Sequence, residues 1–216
     1  LMHDNCVYGL TKMQASPTSP QGLKSNTSPR GALLAPLNPL LTSLSVSNVS
    51  FVAQAPDWIP DILYAIIREG YHHKGFSFIR ILQRCPNFLP NLFDPLLQDP
   101  EKMLVLRHAQ GIELEPSLSR IYRNQSEHDP ADINRARELA SDPDLTPVGI
   151  LYRNDQVPCY EDLRKREQSF TPNMIEQVLN REFDKFMVQR RQNDEVSPQV
   201  NGHSVPDFAA RVEITH

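Results

Sequence analysis

Residues 49–82, VSFVAQAPDWIPDILYAIIREGYHHKGFSFIRIL, contain two short apolar runs on either side of an amphipathic segment. Val49–Ala53 and Phe76–Leu82 each have the length and composition of a buried strand. Between them, apolar residues recur at the spacing of one helix face, at Ile59, Ile62, Leu63, Ile66 and Ile67. A strand, a helix and a strand with short connections predict a βαβ unit in which the two strands are parallel.

The ends of this helix are also marked in the sequence. Pro56-Asp57 is a helix-start signal, and Pro60 is acceptable because it falls in the first turn. Residues 72–74, His-His-Lys, suit the negative end of a helix dipole, and Gly75 is the predicted C-cap.

The flanking regions differ in character. Residues 15–40 are rich in Ser, Thr, Pro and Gly, which predicts an extended loop long enough to cover a ligand. Residues 86–127 combine prolines, single helical turns and short apolar patches. We expect a helix near 130–141 and a strand or extended segment at 147–152. An amphipathic helix opened by Thr171-Pro172 then carries Met174, Ile175, Val178, Leu179, Phe183 and Phe186.

The first seventeen residues, LMHDNCVYGLTKMQASP, predict a strand end, a turn at Asp4-Asn5 and a compact loop. Ligands bind outside the carboxyl ends of parallel strands. Asn5 offers an amide oxygen suited to Mg²⁺, Gly9 permits close backbone approach, and the Thr11 hydroxyl can bond a phosphate oxygen. Chemistry alone favours the simpler alternative, a plain strand-to-loop turn.

Asp4–Lys12, followed by Gln14–Thr18, resembles the second half of the thiamine diphosphate motif in beta subunits of 2-oxoacid:ferredoxin oxidoreductases. The resemblance extends over the 49–82 unit, Arg84-Cys85-Pro86 and Pro147–Tyr152, and covers roughly residues 1–165. It implies an α/β fold and three parts of the chain. These are the C-terminal half of a parallel-sheet thiamine-diphosphate-binding domain (1–90), a mixed, mostly helical extension packing on it or on a partner subunit (91–190), and a disordered tail (191–216).

The resemblance also implies the site residues. The Asn5 side chain and the Val7 carbonyl would bind Mg²⁺. The diphosphate would lie against Tyr8, Gly9, Leu10 and Thr11. Lys12 either pairs with a substrate carboxylate or is a solvated loop lysine. Met13 departs from the family, which usually has Gly there.

Cys85 has two interpretations: a buried structural cysteine, or, as the resemblance implies, the fourth ligand of a [4Fe–4S] cluster. Cys6 and Cys159 do not match ligand positions, so the other three ligands would lie upstream. The upstream half of the diphosphate motif is also missing, and the chain starts at Leu1. We therefore expect a C-terminal fragment that is inactive alone.

The implied reaction is the oxidative decarboxylation of a 2-oxoacid, 2-oxoglutarate favoured or pyruvate, to the acyl-CoA. Electrons would pass to ferredoxin, and an alpha subunit would be a necessary partner. Two alternatives stay open: a non-oxidative thiamine diphosphate decarboxylase or lyase, and a non-catalytic subunit-interaction fragment.

Composition narrows the remaining possibilities. A formal charge of −4 and a pI near 6.0 do not favour nucleic acid as a partner, and no apolar run is long enough to span a bilayer. Three widely spaced cysteines indicate a reducing, cytoplasmic compartment. The histidines at 72–73, 108 and 128 lack metal-site spacing, and we assign them structural roles.

Overall fold

The computed structural model describes residues 1–108, 112, 114–164 and 171–185. The strands are β1 (Met2–Asp4), β2 (Phe51–Pro56), β3 (Ser77–Leu82), β4 (Met103–Arg107), β5 (Gln125–Glu127) and β6 (Thr146–Arg153). The helices are α1 (Pro39–Leu44), α2 (Pro60–His72), α3 (Asp94–Gln98), α4 (Pro116–Ile121), α5 (Ile133–Ser141), α6 (Tyr160–Arg164) and α7 (Pro172–Asp184), with a 3₁₀ turn at Pro100–Lys102. Contacts divide the chain into a unit of residues 1–166 and a unit of residues 167–216.

The six strands form one mostly parallel sheet in the order β1-β3-β2-β6-β4-β5. β1, β3 and β2 are mutually parallel, as are β6, β4 and β5, and an antiparallel pairing of β2 with β6 joins the two groups. The predicted α/β class and the parallel β2–β3 pair are confirmed. The carboxyl ends of β1–β3 therefore lie at one edge of the sheet, and those of β4–β6 lie at the opposite edge.

Helices cover both faces of the sheet because side chains alternate along each strand. Phe51, Ala53 and Ala55 of β2 pack in one core cluster with Ile62 and Ile66 of α2. Val52 packs in a second cluster, with Leu40 and Leu44 of α1 and Leu139 of α5. The fold is thus a three-layer α/β arrangement with a core on each face of the sheet.

Several predicted elements are confirmed. The predicted loop at 15–40 contains no helix or strand element as far as residue 38, but its last two residues, Pro39 and Leu40, begin α1. α5 begins after an Asp132 cap, β6 spans the predicted segment at 147–152, and α7 begins after the Thr171 cap. Five apolar residues of α7, Met174, Ile175, Val178, Leu179 and Phe183, are exposed. Phe186 and the predicted tail lie outside the described residues.

The end of α2 differs from the prediction, because His73 rather than Gly75 is the C-cap. The His73 backbone is extended there, and its ring packs on Phe51 with centroids 5.4 Å apart. The helix therefore ends at His72, before Gly75 is reached. Gly75 still needs to be glycine, with φ at +133°, since a Cβ would lie 2.9 Å from the Ser50 hydroxyl.

Residues 86–127, where the sequence indicates only prolines, helical turns and short apolar patches, contain two strands. β4 is an apolar run that enters the sheet between β6 and β5, while β5 is polar and pairs through its backbone. Three strands after residue 90 thus share one sheet with β1–β3. The division at residues 90 and 190 stays a prediction. Within the described ranges, no helix is both long and apolar enough to cross a membrane.

Candidate functional site

The turn after β1 is built from two successive side-chain-to-backbone hydrogen bonds. The Asp4 carboxylate accepts from the Cys6 N–H at 3.2 Å, and the Asn5 side-chain oxygen accepts from the Val7 N–H at 3.2 Å. Between them, Cys6 takes a φ of +56°. The predicted magnesium ligand Asn5 is therefore half-buried at the carboxyl edge of β1–β3, with its oxygen directed to the turn.

The loop closes at its tip. Tyr8 and Gln14 form two backbone hydrogen bonds of 2.9 and 3.2 Å, and the Lys12 N–H donates to the Gly9 carbonyl at 3.0 Å. The Thr11 hydroxyl donates to the Gln14 side-chain oxygen at 3.0 Å. The structure thus brings the predicted residues 5–12 together in one loop. Tyr8, Leu10, Thr11 and Lys12 are exposed.

Two neighbouring positions in the loop have left-handed backbone. Lys12 and Met13 both have φ at +67°, whereas Gly9 lies outside the positive-φ region and a Cβ there would meet Phe88 at an ordinary 3.7 Å. The loop's own conformation therefore favours glycine at 13 rather than at 9. This gives a physical reason why Met13 is an unusual residue at its position.

The long loop that follows, residues 15–38, is hydrogen-bonded to the turn after β1. The Ser19 hydroxyl donates to the Cys6 carbonyl at 2.6 Å, and the Asn26 side-chain amide donates to the Lys12 carbonyl at 2.7 Å. The Asn26 N–H also approaches the Met13 carbonyl at 3.4 Å. The segment predicted to cover a ligand thus fixes the base and the tip of the loop.

Cys85 lies in a tight turn at the same edge of the sheet, after β3. Burial raises the pKa of its thiol, but the nearby backbone N–H groups of residues 87–89 bring the pKa below its ordinary value. The turn therefore favours a thiolate, the form that binds metals. Cys6 behaves oppositely: burial, followed by the Asp4 carboxylate, raises its pKa to about 11.

Among the described residues, no group of three or more His, Cys, Asp or Glu side chains could hold a metal ion. The opposite edge of the sheet has a polar crevice of about 460 Å³, lined by residues including His108, His128 and Arg153. Within it, Arg153 forms an ion pair with Asp155 at 3.1 Å. The sequence did not indicate this crevice, because its residues come from three separate strand ends.

The histidines have structural surroundings. The His73 ring is buried and contacts an Asp155 carboxylate oxygen at 3.2 Å, and burial lowers its pKa. His128 donates from Nε2 to the Leu151 carbonyl at 2.7 Å. Burial also lowers the pKa of His108.

Comparison with known proteins finds similarity to one family. Residues 118–168 match the family model that describes the C-terminal region of the pyruvate ferredoxin oxidoreductase beta subunit. The chain is 30% identical over 174 residues to the 2-oxoacid:ferredoxin oxidoreductase subunit beta of Saccharolobus solfataricus, covering 80% of this chain and 54% of the relative. The chain is homologous to the beta subunits of 2-oxoacid:ferredoxin oxidoreductases.

Other relatives agree. The 2-oxoglutarate oxidoreductase subunit KorB of Mycobacterium tuberculosis is 36% identical over 114 residues, 52% of this chain and 30% of that subunit. A 2-oxoglutarate:ferredoxin oxidoreductase from Magnetococcus marinus, solved with 2-oxoglutarate, coenzyme A and succinyl-CoA, superposes with a TM-score of 0.58. It is 27% identical, over 82% of this chain and 56% of that one. The chain spans about half the length of the curated relatives with the most extensive matches.

Proposed function

We propose that this chain is the part of a 2-oxoacid:ferredoxin oxidoreductase beta subunit that binds Mg²⁺ and the diphosphate of thiamine diphosphate. The complete enzyme, with its alpha subunit, oxidatively decarboxylates a 2-oxoacid to the acyl-CoA and reduces ferredoxin. One observation carries the proposal: the Asn5 turn and the thiolate-favouring Cys85 turn lie at one edge of the sheet, beyond paired strands β1 and β3.

The donor set of the turn fits magnesium. Mg²⁺ takes oxygen ligands and is held by a few protein oxygens together with substrate phosphates. Asn5 supplies a neutral amide oxygen, and its hydrogen bond from the Val7 N–H fixes where that oxygen lies. The Val7 carbonyl would be the second protein ligand. Tyr8, Gly9, Leu10 and Thr11 would line the diphosphate, and thiamine diphosphate, when bound, supplies the electron sink for decarboxylation.

Lys12 would bind a substrate carboxylate. Its side chain is exposed, while its carbonyl is held by Asn26 at 2.7 Å, so the backbone that carries the ammonium group is fixed. A charge-assisted bond to a carboxylate is stronger than a neutral one. 2-Oxoglutarate has a distal carboxylate that pyruvate lacks, and relatives named for 2-oxoglutarate support it as the preferred substrate.

Cys85 would be the fourth ligand of a [4Fe–4S] cluster whose other thiolates come from the remainder of the subunit. A cluster sulfur that receives backbone hydrogen bonds is stabilised as a thiolate, and such bonds also tune the reduction potential. The N–H groups of residues 87–89 lie in the same turn and lower the pKa of the Cys85 thiol, which supports this role. A ferredoxin-reducing enzyme is favoured over a non-oxidative lyase for this reason, and over a non-catalytic fragment because the Asn5 turn keeps its oxygen donors.

The test uses the complete subunit assembled with its alpha partner, supplied with 2-oxoglutarate, coenzyme A, Mg²⁺ and thiamine diphosphate. Reduction of ferredoxin is followed spectroscopically. Asn5→Leu should abolish turnover, while the matched control Asn134→Leu, on the exposed face of α5, should leave it unchanged. Full turnover by Asn5→Leu would refute the proposal.

The substrate is tested separately. Lys12→Ala should raise the KM for 2-oxoglutarate by about tenfold or more, as expected for loss of a charge-assisted contact, and change the KM for pyruvate less. Equal effects on the two substrates would contradict the role of Lys12.

A further inference from the structure

A line of hydrogen-bonded polar groups, buried at Asp4 and Gln54 and half-buried at Arg80, crosses the sheet from the metal-binding turn. Asp4 is 2% exposed, and one of its carboxylate oxygens accepts from Arg80 Nε at 2.8 Å and Nη2 at 2.7 Å. Arg80 also donates to the Gln54 side-chain oxygen at 3.1 Å, and Gln54 donates to the Pro147 carbonyl at 2.7 Å. The line thus connects β1, β3, β2 and β6.

Stability alone does not account for these residues. A buried ion pair loses much of its attraction to desolvation, and apolar residues of similar volume often serve as well. Every residue of β2 is buried and none is charged, so Gln54 occupies a position where an apolar side chain would pack, while Arg80 beside it on β3 is half-buried. The pair also orients the carboxylate, because two Arg80 nitrogens bind one Asp4 oxygen and so fix the direction in which the carboxylate points.

The other Asp4 oxygen faces the loop. It accepts from the Thr18 hydroxyl at 2.6 Å and from the Cys6 N–H at 3.2 Å. Thr18 is itself buried, where the long loop returns to the base of the turn. Asn5 lies between Asp4 and Cys6 in the chain. The Asp4 carboxylate fixes both neighbours, because it is itself held by Arg80 and Thr18 and accepts the Cys6 N–H.

We propose that Asp4, oriented by Arg80 and Thr18, is the positioning residue of the magnesium-binding loop. It sets where the Asn5 oxygen and the Val7 carbonyl are presented, so that the metal binds a preformed site rather than one that must first be ordered. The inference rests on the proposed function, because it assumes that Asn5 and Val7 are the metal ligands.

The first experiment changes Thr18, whose replacement leaves no charge unpaired. The complete subunit with its alpha partner is titrated with Mg²⁺ at fixed thiamine diphosphate, and binding is followed by calorimetry. Thr18→Val should raise the half-saturating Mg²⁺ concentration about tenfold or more, the range seen when outer-shell partners of metal ligands are removed. Thr18→Ser keeps the hydroxyl and should restore the wild-type value.

A matched control is available in the same loop. Ser25 is as buried as Thr18, but its hydroxyl bonds to Thr27 and to the Ser28 N–H of its own turn. Ser25→Ala should leave the Mg²⁺ requirement unchanged. Unfolding of the cofactor-free protein is measured in parallel, because a purely structural role would lower stability without changing the Mg²⁺ requirement.

The second variant removes both charges of the pair, Asp4→Asn with Arg80→Gln, so that no buried charge is left alone. It should raise the Mg²⁺ requirement at least as much as Thr18→Val. If wild type binds and Asn5→Leu does not, but Thr18→Val and the double variant need no more Mg²⁺ than wild type, the inference is overturned and the proposed function stands. If wild type shows no Mg²⁺-dependent binding, the proposed function itself fails.

Discussion

At position 13, replacement by glycine should leave the protein more stable than replacement by alanine, the reverse of the usual order. Met13 has φ at +67°. A residue with a Cβ in left-handed backbone costs roughly 1–2 kcal/mol. Glycine avoids that cost, but it loses about 0.4–1 kcal/mol because the unfolded chain gains freedom. The Met13 side chain is half-buried, so its packing contacts are lost in any replacement by a smaller residue.

Comparison with alanine separates these contributions. Met13→Ala loses the same side-chain contacts but keeps the left-handed strain, so Met13→Gly should be more stable than Met13→Ala by about 0.5–1 kcal/mol. Leu10 is the matched control, since it is 97% exposed and lies outside the positive-φ region. There Leu10→Gly should be less stable than Leu10→Ala by about 0.4–1 kcal/mol.

The assay is denaturant unfolding of each of these four variants in the complete subunit, with midpoints and slopes compared. The expected result is a reversal of sign between positions 13 and 10. If glycine were worse than alanine at both positions, the left-handed conformation of Met13 would be refuted. The strain account of this family departure would fail with it.

Three further outcomes follow from local geometry and burial. Gly149→Ala should destabilise by more than about 1 kcal/mol, because φ is +131° and a Cβ would lie 3.1 Å from Leu106, while Gly9→Ala should be tolerated; thermal unfolding compares them. Burial lowers the pKa of His73 in the folded protein. Below about pH 6.5 the imidazole is therefore protonated in the unfolded chain but still neutral in the folded protein. Stability should therefore fall with pH below about 6.5, and less steeply in His73→Gln, in melting curves across pH. In cluster-free protein at about pH 7, iodoacetamide should label Cys85 at least about 100-fold faster than the equally buried Cys6, as measured by mass spectrometry; equal rates would contradict the contrast in thiol pKa.

Local patterns were sufficient for the unit from β2 to β3. Apolar residues at helix spacing identify α2, and two compact apolar runs identify its flanking strands, because both signals depend on neighbours in sequence. Local patterns also predict α5, β6 and α7. They do not predict β5, a polar three-residue strand whose position depends on backbone pairing with β4.

Long-range organisation could not be predicted in this way. The antiparallel junction of β2 with β6 pairs residues about one hundred positions apart, such as Phe51 with Arg153. The sequence predicts the compact loop after β1, but it does not predict the contacts that hold this loop in place. Arg80 looks like a solvent-facing residue of a strand, and nothing local indicates that it binds Asp4, 76 positions earlier.

In the proposed function, Asn5 and the Val7 carbonyl bind the magnesium ion that holds the diphosphate. The decisive experiment is a structure of the complete subunit with Mg²⁺ and thiamine diphosphate. We expect a metal about 2.0–2.1 Å from the Asn5 side-chain oxygen and from the Val7 carbonyl oxygen, with the diphosphate against residues 8–11. A metal–diphosphate pair bound away from this turn, with the Asn5 oxygen still bonded only to the Val7 N–H, would contradict it.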